Sequence, residues 1–478
     1  MGAPLDPTAA AFLFAENRNM PMHVGALQLF EPPADAGPEY TADLVRRARA
    51  TEDLAPLFLQ HPHRSLTTAG QWTWRPDAQF DIEHHVRHDA LPRPGRVREL
   101  LDLCGRLHGT RLALERPLWE WHLVEGLADG RMATYSKMHH SLLDGVAAMR
   151  LLQSVLSEDP DERGTPLPWA RRDRPGRSDR PGRSDDTDGP HGSGHSGLAV
   201  VPAHALRSAL AVAGEAAGMP TSLVRTLSRG VRNQTSAVSF YSPRTLLNRT
   251  ITGSRRFAAQ DWPLERLRAI GRASGTTIND VVLAMCSGAL RTYLTELHAL
   301  PDQTLTAMVP VSFRRAEAGT ASDAGGNAVG AVMVRLGTDL GDPAARLAAV
   351  RDSMLEGKDA LGSMSNAQAL AMTALGLAPA VVLPLLRLQG VARPPFNLII
   401  SNVPGPDSTR WFEGARMVGM YPLSIPLHGI ALNITCTSYD GRMGFGLTGC
   451  RRTVPRLQRL LGFLDDEVRA LEAAVGIS

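Results

Sequence analysis

Between residues 131 and 156 the chain changes its hydrophobic period in mid-run, and that handover limits the folds open to it more than any other feature. Met132 to Met138 alternates loosely between apolar and polar residues without a breaker, as a strand does. From Leu142 the apolar positions become Leu142, Val146, Met149, Leu152, Val155 and Leu156, a helical spacing. Two adjacent histidines, His139 and His140, fall at the junction. Neighbouring side chains there point in different directions, so at most one ring is expected to face an open site while the other packs or bonds to backbone. Asp144 stands at the spacing from His140 of neighbours on one helix face, and Gly145 lets another backbone or a substrate come close. A held imidazole at a strand end can take and return a proton near neutrality, so the pair is a candidate general base.

A chain of 478 residues suggests two or three domains, and 43% hydrophobic residues supply sizeable cores. With 51 basic against 48 acidic side chains, composition gives no argument for a nucleic-acid partner. The slight basic excess would at most favour weak contact with an anionic membrane surface. Cys104, Cys286, Cys436 and Cys450 are far apart and match no metal-ligand or redox spacing. Without a basic-then-apolar leader, a reducing cytoplasm is the expected compartment.

Along the chain, a short apolar helix precedes a strand through Ala26–Phe30, residues 41–60 read as a helix, Gln71 to Trp74 as a strand, and Arg98 to Leu114 as an amphipathic helix. His23 reads as a satisfied core residue, His84 and His85 as an ordinary solvated pair, and Trp119 as a buried wedge. Glu158 to Gly197 is crowded with Pro, Gly, Arg, Asp and Ser and repeats Arg-Pro-Gly-Arg-Ser-Asp, so it is expected to be a disordered linker. Beyond it, Ala199 to Leu227 reads as helix. Asp261-Trp-Pro signals a cap for a helix over Leu264 to Ala273, and Thr276 to Asp280 caps a longer one reaching Leu297. Ala369 to Leu386 is of membrane-span length without a charge, but Gly376, Pro379 and Pro384 favour a kinked helix pair, buried or facing lipid. Gly444-Phe-Gly446-Leu-Thr-Gly449 satisfies a dinucleotide-binding pattern formally, yet it lies in an alternating strand and opens no strand–helix unit. No nucleophile elbow or phosphate-binding P-loop occurs.

Five strings stand in one order: Pro21-Met-His-Val-Gly25, Pro117-Leu-Trp119, His139-His140-x-x-x-Asp144-Gly145, Asn279-Asp280-Val-Val-Leu-Ala284 and Ser401-Asn-Val-Pro-Gly-Pro406. Together they resemble the bacterial wax ester synthase/diacylglycerol acyltransferase family of the acyl-CoA-dependent acyltransferase superfamily. The resemblance implies a mixed α/β (α+β) fold of two chloramphenicol-acetyltransferase-like halves with a tunnel between them. The expected division is 1–157, a linker at 158–197, and 198–478. It further implies His140 as general base, His139 orienting or packing, Asp144 holding the loop by a buried ion pair or backbone hydrogen bonds, and Gly145 keeping the passage open. Asn279 and Asp280 would shape or support the pocket, since capping already explains them. No metal and no cofactor are implied beyond fatty acyl-CoA as co-substrate, and no cofactor-binding residues can be named. The acceptor would be diacylglycerol or a long-chain alcohol, with peripheral contact at a membrane or lipid droplet. A condensation-type enzyme and a non-catalytic lipid-binding relative are the rival readings.

Overall fold

The computed structural model of the chain describes residues 5–65, 70–172, 242–312, 329–362 and 393–477. The expected helix at 199–227 and the apolar stretch at 369–386 lie outside these residues. Its first part runs α1 (Pro7–Ala15), β1 (His23–Glu31), α2 (Tyr40–Arg49), β2 (Gln60–Arg64), β3 (Trp72–Pro76), the single turn α3 (Ile82–His85), β4 (Val86–Ala90), α4 (Val97–Gly109), β5 (Trp119–Glu125), β6 (Met132–His139) and α5 (Gly145–Gln153). The second runs β7 (Arg255–Pro263), α6 (Leu264–Ser274), α7 (Ile278–Glu296), β8 (Thr306–Ser312), β9 (Val329–Arg335), α8 (Pro343–Gly362), β10 (Leu398–Val403), β11 (Trp411–Phe412), β12 (Ala415–Leu423), β13 (Leu432–Tyr439), β14 (Arg442–Cys450) and α9 (Arg459–Ala474).

Twelve of these strands build two six-stranded mixed sheets, in the orders β11-β12-β1-β6-β5-β4 and β7-β14-β13-β10-β8-β9, and β2 pairs with β3 in a small two-stranded one. Every residue of β6 is buried, because apolar clusters cover both faces of the first sheet. A strand covered on both sides loses the polar face that plain alternation would give it. Its Thr134, Ser136 and Lys137 are therefore buried as well.

The two parts of the chain interlock. β12 comes from beyond the expected linker yet pairs antiparallel with β1 in the first sheet, Gly25 opposite Leu423. It then crosses closely over β14. A side chain added at Gly446 would put Cβ 2.0 Å from the Pro422 carbonyl oxygen, and one at Gly444 would put it 2.6 Å from that of Met420. Two of the three glycines of the dinucleotide-like string, Gly444 and Gly446, thus admit a neighbouring backbone.

Several expectations are corrected. The head of the 158–197 tract is not a free linker. The Ala55 N–H donates to the Trp169 carbonyl at 2.8 Å and the Arg171 N–H to the Asp53 carbonyl at 2.9 Å, and Trp169, 1% exposed, stacks on Trp119 at 5.1 Å. One indole buries enough surface to hold a polar segment down; residues 173–197 lie outside the described part. The helix expected over 41–60 ends at Arg49, and Pro56 opens a separate 3-10 turn, Pro56–Leu59. The helix expected to run to Leu114 stops at Gly109. Asp261 does not cap α6, since β7 continues to Pro263 and the carboxylate binds Arg442 instead.

Candidate active site

His139 ends β6, lying opposite His23 of β1 across the ladder. The chain then turns: the backbone N–H of His140 donates to the Met22 carbonyl at 2.8 Å, and that of Leu142 to the His139 carbonyl at 2.9 Å. This turn sends the two imidazoles different ways, as the strand-to-helix handover predicts.

The His139 ring is fully buried. Its Nδ1 accepts the Ser141 N–H at 3.1 Å and lies 2.6 Å from Ser141 Oγ, which leaves the proton on Nε2. Burial, then the neighbouring His140 and the charge of Arg111, lower its pKa to about 3. His139 is a neutral structural ring.

His140 is only half-buried. Its ring stacks on Phe12, centroids 4.1 Å apart and planes at 19°, and Phe12 in turn packs against the large core around α7. Neither ring nitrogen bonds another side chain among the described residues. Burial lowers its pKa, partly countered by a hydrogen bond with its own backbone and by Asp144. A neutral imidazole with solvent access at the seam between the two parts of the chain is able to accept a proton.

Asp144 does not share a helix face with His140, which precedes the helix. It is the N-cap of α5, exposed, its Oδ1 accepting the Ala147 N–H at 2.7 Å. Among the described residues it makes no ion pair, so of the two expected anchors only backbone bonding is found. A Cβ at Gly145 would meet nothing within 4 Å among the described residues, so no backbone presses on it. Asp280 forms a capping box with Thr277, which donates its N–H at 2.9 Å and Oγ1–H at 2.8 Å to Asp280 Oδ2. Asn279 beside it is half-buried. Neither is joined to the histidines by a hydrogen bond or ion pair among the described residues. His23 is the expected core residue, 1% exposed with Nε2 at 2.9 Å from the His108 carbonyl.

The sheet beneath the motif carries a buried ion pair that the sequence reading missed. Lys137 of β6 lies 2.7 Å from Glu120 of β5 and donates to the Leu107 and Thr110 carbonyls at 3.2 Å, at the C-terminal end of α4. A cation suits carbonyls at a helix C-terminus, where the backbone dipoles leave negative charge. Burial opposes the Glu120 carboxylate, yet the hydrogen bond from His122 and the charge of Lys137 hold its pKa down to about 2. Phe12, Glu16 and Arg111 reach the histidines from outside the motif and share no spacing with it, so nothing in the sequence announces the contact.

The resemblance in fold extends to solved structures. The first condensation domain of the CDA synthetase superposes with a TM-score of 0.56 at 18% identity, over 99% of this chain and 96% of that one, which shows the fold alone. The wax ester synthase/diacylglycerol acyltransferase from Marinobacter aquaeolei VT8 matches with a TM-score of 0.76 at 40% identity, over 99% of this chain and 100% of that one. Fold and sequence together define an acyltransferase. The model for the wax ester synthase/diacylglycerol acyltransferase catalytic domain matches residues 5–282, and that for the family's C-terminal domain matches residues 325–472. A probable diacylglycerol O-acyltransferase of Mycobacterium tuberculosis (strain H37Rv) is 44% identical over 471 residues, 98% of this chain and 99% of its own. The chain therefore belongs to the wax ester synthase/diacylglycerol acyltransferase family.

Proposed function

We propose that this enzyme moves a long-chain fatty acyl group from acyl-CoA to the hydroxyl of diacylglycerol, giving triacylglycerol, or of a long-chain alcohol, giving a wax ester, with His140 as general base. The imidazole takes the hydroxyl proton as the alcohol oxygen attacks the thioester carbonyl. The carbon–sulfur bond then breaks and the imidazolium returns the proton to the leaving CoA thiolate. No acyl-enzyme is required. The observation that carries this reading is the contrast within one dipeptide: His139 is sealed and bonded, while His140 is neutral, half-buried and free of side-chain hydrogen bonds among the described residues.

Both acceptors are lipids, and we place the enzyme on the cytoplasmic side of a membrane or lipid-droplet surface, reached by peripheral contact. Among the described residues no helix is long and apolar enough to cross a membrane.

The test is CoA release from palmitoyl-CoA with diolein, hexadecanol or water as acceptor. Release that depends on a lipid alcohol and disappears in folded H140A is the expected result. Near-normal turnover by folded H140A refutes the base assignment. Binding of palmitoyl-CoA without release for any acceptor leaves a lipid-binding protein and refutes the transfer.

A further inference from the structure

Behind the histidine pair lies a carboxylate outside the five strings, Glu16. Glu16 follows α1, and its side chain is wholly removed from solvent. Its Oε1 accepts the Met22 N–H at 3.3 Å and lies 3.8 Å from His139 Nε2, and its Oε2 accepts from Arg111 at 3.0 Å. The Met22 carbonyl holds the His140 N–H. One acid therefore reaches His139 by its ring and His140 through a single residue of the lead into β1.

The Nε2–H of His139 is buried with no hydrogen-bond partner, and the group it faces is Glu16. Nδ1 is committed to accepting from Ser141, so the proton cannot move to the other nitrogen without breaking that turn. Orphaned buried donors are costly, and catalytic hydrogen bonds that are long in a free enzyme tighten when substrate closes the site. The other titratable groups facing the pair are His23 on β1, His108 on α4, Lys137 on β6 and Asp144 at the head of α5. Burial keeps His23 and His108 neutral, Lys137 is taken by Glu120, and Asp144 is exposed on the cap. Glu16 and Arg111 are thus the charges set directly behind His139.

We propose that Glu16 is a positioning residue for acyl transfer: its carboxylate holds the Nε2–H of His139 and the backbone of Met22, and so fixes the ring of His140 for the acceptor hydroxyl. This rests on His140 being the base. Arg111, 39% exposed, balances the acid from the surface side.

The experiment compares E16Q, R111Q and E16Q/R111Q by kcat, KM and the pH profile of kcat/KM with palmitoyl-CoA and diolein. Misplacing a reacting group by about 1 Å can cost about 100-fold, so E16Q is expected to lose up to that factor in kcat at unchanged KM for palmitoyl-CoA. The acid limb moves in opposite directions: to lower pH in E16Q, where unbalanced Arg111 disfavours imidazolium, and to higher pH in R111Q, where unbalanced Glu16 favours it. The double variant returns the limb toward the wild-type position. A kcat for E16Q within about twofold of wild type with no movement of either limb overturns the proposal, as does movement of both limbs in one direction. Loss of melting temperature alone, with an unmoved limb in R111Q, shows a purely structural acid and also overturns it. Should E16Q not fold, R111Q alone decides by whether its limb rises. Normal turnover by H140A would instead sink the base assignment beneath it, a distinct outcome.

Discussion

The chain carries two His-His pairs. His84-His85 closes the single turn α3, where the His85 ring lies between Phe80 (centroids 5.2 Å, planes 10°) and Trp119 (4.6 Å, 19°) and donates from Nδ1 to the Trp119 carbonyl at 2.7 Å. His139-His140 closes β6, with one ring sealed against Ser141 and the other, half-buried, stacked on Phe12 at the seam. The dipeptide is the same, and in each pair one ring is buried and the other half-buried. The difference is what surrounds the pair: an aromatic sandwich on the edge side of the first sheet, against a seam between the two parts of the chain. Identity of residue supplies the proton chemistry, and placement decides whether it is used.

The sharpest way to break this comparison is to remove the half-buried ring of each pair. A general base contributes about 100- to 10,000-fold, so H140A should lose activity in that range while H84A stays within about twofold in the same CoA-release assay. Equal losses would erase the distinction. Next in size is the wedge beneath the first pair. W119A empties the stack with His85 and Trp169 and should cost about 3–5 kcal/mol by denaturant unfolding, with kcat per folded molecule retained. The buried rings also differ from unfolded histidines in proton affinity. Burial holds His85 to about 4, and His139 to about 3, against an ordinary 6.5. The unfolded chain therefore binds protons the folded one refuses, and stability is lost as pH falls from about 6.5 toward 4. His85→Phe keeps the stack and removes one such ring, so the unfolding free energy should fall less over that window, by about 1–3 kcal/mol. Smallest is D144A, which removes the cap of α5 at about 1 kcal/mol; a larger loss would mean Asp144 has a partner beyond Ala147.

What could be read from the sequence was local. The change of period around His139 fixed the strand-to-helix turn and the divergence of its two rings, Thr277 and Asp280 announced the head of α7, and Trp119 read as a wedge. What could not be read was contact between distant segments. Trp169 docks against Trp119 from within a tract whose composition argues for disorder, and β12 joins β1 across nearly the whole chain, a pairing no periodicity encodes. His84-His85 reads as a solvated pair, yet His85 is buried because Phe80 and Trp119 reach it from two different stretches. Glu16 was invisible for the same reason: four residues after Phe12, it sits at helical spacing to a ring that touches His140, but nothing in the string says which residue Phe12 will touch.

In the proposed reaction His140 enters neutral, because its half-buried setting keeps its pKa below the ordinary 6.5. The most direct measurement is the pH dependence of kcat/KM for palmitoyl-CoA at saturating diolein. The expected acid limb has a midpoint below 6.5 and is abolished together with activity in H140A. A midpoint at or above 6.5, or a residual H140A rate that keeps the same limb, would contradict it.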